Sequence, residues 1–269
     1  MAQLTQEQLI ATFGEEVGKQ MFEQMNASTG GATTPFPFVK KISDIDSELG
    51  AWGEHVVGAE YEKNETGERV LTSKGTNLGK SFDIVIVNVG YHYSRWNEDK
   101  QRTESSNYFT DLTKGIKSAV NVYSGEPLPK SKEAKRAEGW KMVKQLGVLV
   151  RKDAKSAWQP AIYEVSGKTY FTFGELTDNK PNKGLLDGVY TLVFAKEKKG
   201  STTYTVIDTA KSKHAPLPAD LFTNDETKEM ISDITKKMTE YRAAKQYSGD
   251  SATSASEATA PTEEDDVEW

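Results

Sequence analysis

Residues 82–89 read FDIVIVNV, and no other segment of the chain limits the fold as tightly. The run is rich in β-branched residues, which are stiff at χ1 and suit a pleated strand. A strand with one wet face alternates apolar and polar side chains, and this one barely does. Both of its faces must therefore be covered, which makes it the centre of a sheet with protein on either side.

Shorter strand signals surround it: residues 52–61, Gly147–Arg151 (GVLVR), Ala161–Val165 (AIYEV) and Thr169–Phe173 (TYFTF). Ser166-Gly167-Lys168 joins the last two as a tight hairpin. Gly188–Ala195 and Thr202–Thr209 pair around KEKKG, Lys196–Gly200. Two helices flank the strands. Thr5-Gln-Glu-Gln8 has the form of a capping box ahead of Leu9, Phe13, Val17, Met21 and Met25. After Asn224, residues Met230, Ile231, Ile234, Met238 and Tyr241 fall on one helical face. ASTGGATTPFPF, Ala27–Phe38, is an extended connector, residues 94–112 are polar and loop-like, and 130–145 has room for a short basic helix. The expected fold class is α+β: a small OB-like β-barrel core with an N-terminal helix, a C-terminal helix and a disordered acidic tail. The expected divisions are an N-terminal helix in residues 1–30, the barrel domain in 31–247 with a polar insertion about 94–145, and the tail in 248–269.

Charge sharpens this picture. The chain carries −6 in total. Residues 250–269 hold seven acids and no Lys or Arg, and taking −7 from −6 leaves residues 1–249 at +1. A near-neutral body can still present a basic face. Residues 130–155 show where, with nine Lys or Arg against Glu133, Glu138 and Asp153. There is no cysteine, so disulfides, thiolate metal sites and thiol nucleophiles are excluded, and a reducing cytoplasm suits the chain. No apolar run approaches the roughly 20 residues that a membrane helix needs. MAQLTQEQL lacks the basic and apolar regions of a signal peptide, so a cytoplasmic protein without a membrane partner is expected.

Gly75-Thr-Asn-Leu-Gly79-Lys80-Ser81 imitates a phosphate-binding P-loop but is one residue short and leads into a strand instead of a helix. A glycine-rich turn accounts for it. The histidines His55, His92 and His214 lie far apart with no metal-ligand spacing, so no metal or cofactor is expected. Carboxylates outside the tail are interleaved with Lys, as on a solvated surface, and the expectation is no catalysis. Acids brought together from distant segments, as in a metal-dependent nuclease, stay open as a lesser alternative.

The positive signal is aromatic residues beside cations. Tyr91, Tyr93, Arg95 and Trp96 follow the FDIVIVNV strand; Tyr91 and Tyr93, at period 2, either face the core or offer stacking rings. Trp140, Lys141 and Lys144, with Arg151, Lys152 and Trp158, form a second group: either a groove lining or a solvated basic helix that Trp140 anchors. On the TYFTF strand Phe171 and Phe173 share the core face, which turns Tyr170 toward a binding platform. Lys198 and Lys199, at a hairpin tip, are placed to grip phosphate. Rings that stack on bases and cations that track phosphates are what sequence-nonspecific binding of single strands requires.

In this layout the chain resembles the single-stranded DNA-binding proteins of tailed bacteriophages. The barrel-like strands of about 80–210, the aromatic–basic groups and the ending Glu263, Glu264, Asp265, Asp266, Val267, Glu268, Trp269 carry the resemblance. It implies an OB-type barrel working in DNA replication or recombination in the infected bacterial cell. It also implies that the tail competes weakly with DNA for the groove and, when displaced, offers its acids and Trp269 to replication or recombination proteins. An interaction or transcription-regulating factor, whose tail contacts RNA polymerase, is the alternative.

Overall fold

The computed structural model describes residues 34–64, 69–177, 185–200 and 202–245. The N-terminal helix and the acidic tail expected from sequence lie outside them. Twelve strands appear along the described chain: β1 (Phe38–Lys41), β2 (His55–Val57), β3 (Glu60–Lys63), β4 (Arg69–Ser73), β5 (Thr76–Gly79), β6 (Ser81–Asn97), β7 (Arg102–Ser105), β8 (Lys141–Arg151), β9 (Gln159–Ser166), β10 (Val189–Lys199), β11 (Thr202–Ile207) and β12 (Lys213–Ala215). The helices are α1 (Leu112–Lys117), α2 (Lys132–Ala137), α3 (Gly167–Thr177) and α4 (Asp225–Ala244). This is an α+β fold dominated by one curled, half-barrel sheet.

The FDIVIVNV run is the first half of β6, and it sits in the middle of the sheet order β11-β10-β6-β8-β9-β1-β2-β5. Both its faces are covered. Phe82, Ile84 and Ile86 turn into the concave side with Leu146, Val148, Val150, Tyr190 and Leu192. Val85 and Val87 turn outward with Leu149 and Ile162 onto Ile234 and Met238 of α4. Helix α4 begins where the sequence places it: the Asn224 side chain accepts a hydrogen bond from Thr227 N at 3.2 Å, the usual N-cap arrangement. Gly147 on β8 permits the close approach, since a Cβ there would stand 2.6 Å from Ile234 Cγ2. Arg242 near the end of α4 is buried on the same face, donating to Gln145 Oε1 at 3.1 Å and to the Gln145 carbonyl at 2.9 Å.

The β10–β11 hairpin pairs Phe194 with Ile207 through to Lys199 with Thr202, around the KEKKG turn as expected. The P-loop imitation is a short strand and turn: β5 runs into β6, and Gly75 has φ 61°, a left-handed conformation that favours glycine.

Two expectations fail. Residues 169–173 do not form a strand, and no hairpin joins them to β9. Gly167 (φ 57°) turns the chain out of β9 directly into α3. Phe173, Leu176 and Thr177 recur at helical spacing, and Phe173 and Thr177 are fully buried, so α3 closes one side of the concave face. The two-residue alternation of TYFTF is a fragment of this longer period. Residues 94–112 also are not all loop: β6 continues to Asn97 and β7 returns beside it, with Ser94 opposite Ser105. The insertion then builds its own core from Tyr93, Ala119, Leu128 and Trp140, with Phe109, Ile116 and Met142 against it. The basic helix expected in 130–145 is α2, shorter than that span because β8 already starts at Lys141.

Candidate nucleic-acid interface

Two adjoining cavities open beside the start of α3. The larger, about 690 Å³, has Val39 and Lys41 of β1, His55 of β2, Tyr163 of β9, Phe194 of β10, and Tyr204 and Thr205 of β11 around it. The smaller, about 170 Å³, lies among Lys132, Lys135 and Arg136 of α2, Tyr93, Trp140 and Met142, and Tyr170 and Phe171 of α3. Lys141 and Gly167 border both, so the two cavities adjoin there and together make a groove with Lys141 at its waist. The groove follows from the local sequence: β9 must turn sharply at Gly167, which places the first turn of α3 against the open edge of the half-barrel.

Its walls mix rings and cations. Phe171 is 57% exposed, and its ring centroid lies 5.7 Å from that of Tyr170. Lys41 and Lys141 are exposed and form no ion pair among the described residues. Lys168 pairs with Glu197 and donates to the Tyr204 hydroxyl at 3.3 Å, which draws the tip of β10 against α3 and raises the Lys168 pKa. Just outside, Lys196 sits 4.4 Å and Lys41 5.7 Å from the Trp52 ring. His55 is buried against Phe194, with ring centroids 4.0 Å apart. Burial, reinforced by Lys41, holds its pKa down at about 3, so it is neutral at physiological pH.

The residues expected from sequence divide sharply. Lys141 and Tyr170 lie on the groove, Tyr170 from a helix and not from a strand. Tyr93 and Trp140 border it but are buried in the insertion's core, 7% and 3% exposed; burial pushes the Tyr93 hydroxyl up to about 12. Tyr91 is buried beneath Phe109, to whose backbone it is hydrogen bonded, so the core reading holds for both tyrosines. Lys144 is also buried, its Nζ 5.1 Å from the Phe173 ring centroid.

Arg95 is held by Glu104 at 2.9 Å and lies over the Trp140 ring at 4.5 Å. Burial alone would raise the Glu104 pKa, but hydrogen bonds from Arg95 and Lys100 outweigh it and bring it to about 2. Trp96, 57% exposed, follows Arg95 on β6 with its side chain on the opposite face of the sheet, and it lines neither cavity. Arg151, Lys152 and Trp158 do not join Lys141. They cluster at the far end of β8, about 33 Å away at a strand's rise per residue. There Arg151 pairs with Asp83 at 3.0 Å and stacks on Trp158 at 4.2 Å, while Lys152 is exposed. Lys198 is exposed near the hairpin tip, and Lys199 is the last residue of β10. Residues 263–269 lie outside the described chain.

Sequence reasoning missed Lys41, Trp52, His55, Lys168 and Tyr204. Each is a single polar or aromatic residue in its own segment, and only the curl of the sheet brings them together. Lys132 and Arg136 could have been found in the basic stretch 130–155. Among the described residues, no group of three or more His, Cys, Asp or Glu side chains is placed to hold a metal ion. No helix among them is long and apolar enough to cross a membrane. No family model, no curated protein and no solved structure matches the chain.

Proposed function

We propose that this is a sequence-nonspecific single-stranded DNA-binding protein of bacteriophage type, acting in DNA replication or recombination without a cofactor. The groove is the observation that supports this best: the exposed Phe171 ring and the half-buried Tyr170 ring lie with Lys41, Lys141, Lys132 and Arg136 around two adjoining cavities. Bases stack on such rings at roughly 1–3 kcal/mol each, and every base offers a π face, so the contact needs no sequence preference. Duplex DNA hides those faces in its stack. The half-barrel is read more finely as an OB-type barrel, an architecture whose strand face and loops take oligonucleotides.

The acidic segment 248–269 completes the proposal. Tethered to the body, it has a high local concentration at the cationic groove and competes with DNA even through weak contacts. Salt screens that competition. Once displaced, Glu263, Glu264, Asp265, Asp266, Glu268 and Trp269 engage basic pockets on replication or recombination proteins.

Fluorescence anisotropy of a labelled oligo-dT, with full-length protein beside a chain ending at Tyr247, tests this. Tight, salt-sensitive binding that strengthens on truncation, with duplex bound far more weakly, is expected. Equal affinity for duplex and single strand, or no binding at low salt, contradicts it.

A further inference from the structure

Four buried side-chain polar atoms lack a hydrogen-bond partner among the described residues, and two of the residues that carry them, His55 (Nδ1) and Thr205 (Oγ1), line the larger cavity. His55 is 3% exposed and Thr205 8%. A buried donor or acceptor left unsatisfied is costly, and native interiors nearly always avoid it. Two such side chains in one lining indicate a site that takes up a polar partner once they turn toward it. The cavity, about 690 Å³, falls within the range of small-molecule pockets and far exceeds a single water.

Its lining shows what that partner is. The aromatic rings of Phe194 and Tyr163 give it apolar surface against which a planar ring can pack. Neutral His55 and the Thr205 hydroxyl offer hydrogen bonds without charge, as the polar edge of a base requires. At the mouth the chemistry changes. Lys41 and Lys141 stand there beside Gly167, Lys168 and Thr169, the first residues of the 11-residue helix α3. The free N–H groups and positive dipole end of such a terminus favour an anion, and Lys41 and Lys141 outweigh Glu164, the one carboxylate in the lining.

We propose that this cavity takes one whole nucleotide of the bound strand, its base turned inward against Phe194 to meet His55 and Thr205, and its phosphate held at the mouth by Lys41, Lys141 and the start of α3. The inference rests on the single-strand reading and deepens it. The strand lies along the groove on Phe171 and Tyr170, and one everted nucleotide fixes its position. The shared chemistry is a nucleoside monophosphate unit, whether inside a strand or free.

Histidine-selective NMR with oligo-dT and, separately, thymidine 5′-monophosphate tests it, using His55→Phe to assign the resonance. Oligo-dT is expected to shift the His55 ring signals and leave His92, which packs against Tyr108 on the other face, unmoved. Thr205→Val keeps the side-chain shape and deletes only the unpartnered hydroxyl. It is expected to leave the melting temperature unchanged or raised and to weaken oligo-dT binding by about fivefold, one neutral hydrogen bond. Binding of oligo-dT with His55 unmoved, or with Thr205→Val at full affinity, overturns the pocket and leaves the single-strand reading standing. If the wild-type protein binds no oligonucleotide, that reading fails, and the monophosphate decides the pocket alone: a His55 shift on saturation supports it, and none overturns it.

Discussion

The two ends of β8 carry the same residue types and do different work. At one end Lys141, beside Trp140, stands at the waist of the groove with no ion pair among the described residues. At the other, Arg151 lies between Asp83 and Trp158, its guanidinium consumed by a salt bridge and a stacking contact. A cation beside an indole is therefore not by itself a binding signal. What separates the two ends is the partner across the sheet: β6 supplies Asp83 opposite Arg151 and only Ser94 opposite Lys141. One end is stabilising structure, and the other is left with charge available to a ligand.

Substitutions can break this contrast or sharpen it. Trp140→Ala removes a ring that is 3% exposed, and should cost about 3–5 kcal/mol in urea unfolding, as large-to-small changes at buried aromatics do. Any loss of DNA binding it causes would follow from collapse of the insertion's core. Arg151→Ala should cost about 1–3 kcal/mol, because it leaves the nearly buried Asp83 with only the Thr191 hydroxyl donating to it at 2.7 Å. Its DNA affinity should stay at the wild-type value in an anisotropy titration run well below the denaturation midpoint. Phe171→Ala inverts that pattern: being exposed, it should leave stability within 0.5 kcal/mol or so and lower oligonucleotide affinity by roughly 1–3 kcal/mol. Lys141→Ala should lower the slope of log affinity against log salt by about 0.7, one single-strand phosphate contact, while Arg151→Ala leaves the slope unchanged.

Acid gives a further, smaller separation. Glu104 titrates near 2 in the folded protein, well below its ordinary value of 4.5. Its contribution is thus present above pH 4.5 and is lost as pH falls toward 2. Glu104→Gln should destabilise the insertion at pH 7 and make little difference at pH 2, followed by circular dichroism across that range.

Much of the scaffold was legible because its signals are local. FDIVIVNV announced a strand covered on both sides, Asn224 announced the start of α4, and KEKKG announced a hairpin. Each depends on neighbours within a few residues. The failure at TYFTF has the same origin, since five residues cannot separate period 2 from period 3.6; only Leu176 and Thr177, beyond the window, settle it. The groove was less legible. Tyr91 and Tyr93 are covered because residues 106–140 fold back over the end of β6, and Lys144 because α3 sets Phe173 against it; both are long-range events with no signature at the residues themselves. Lys41 and Tyr204 lie more than 160 residues apart in the chain and line the same cavity through sheet curvature. Trp96 is exposed, yet strand alternation sets it on the face opposite Arg95 and it lines neither cavity.

The most direct measurement is photocrosslinking of full-length protein to an oligo-dT carrying a photoreactive thymine, followed by mass-spectrometric location of the modified peptides. Crosslinks are expected on peptides from the groove, at Tyr170–Phe171 and around Lys141, and they should fade as salt rises. Crosslinks concentrated at Arg151–Trp158 or at Trp96, with the groove peptides unmodified, would contradict the placement of the DNA site, and no crosslinking at low salt would contradict single-strand binding itself.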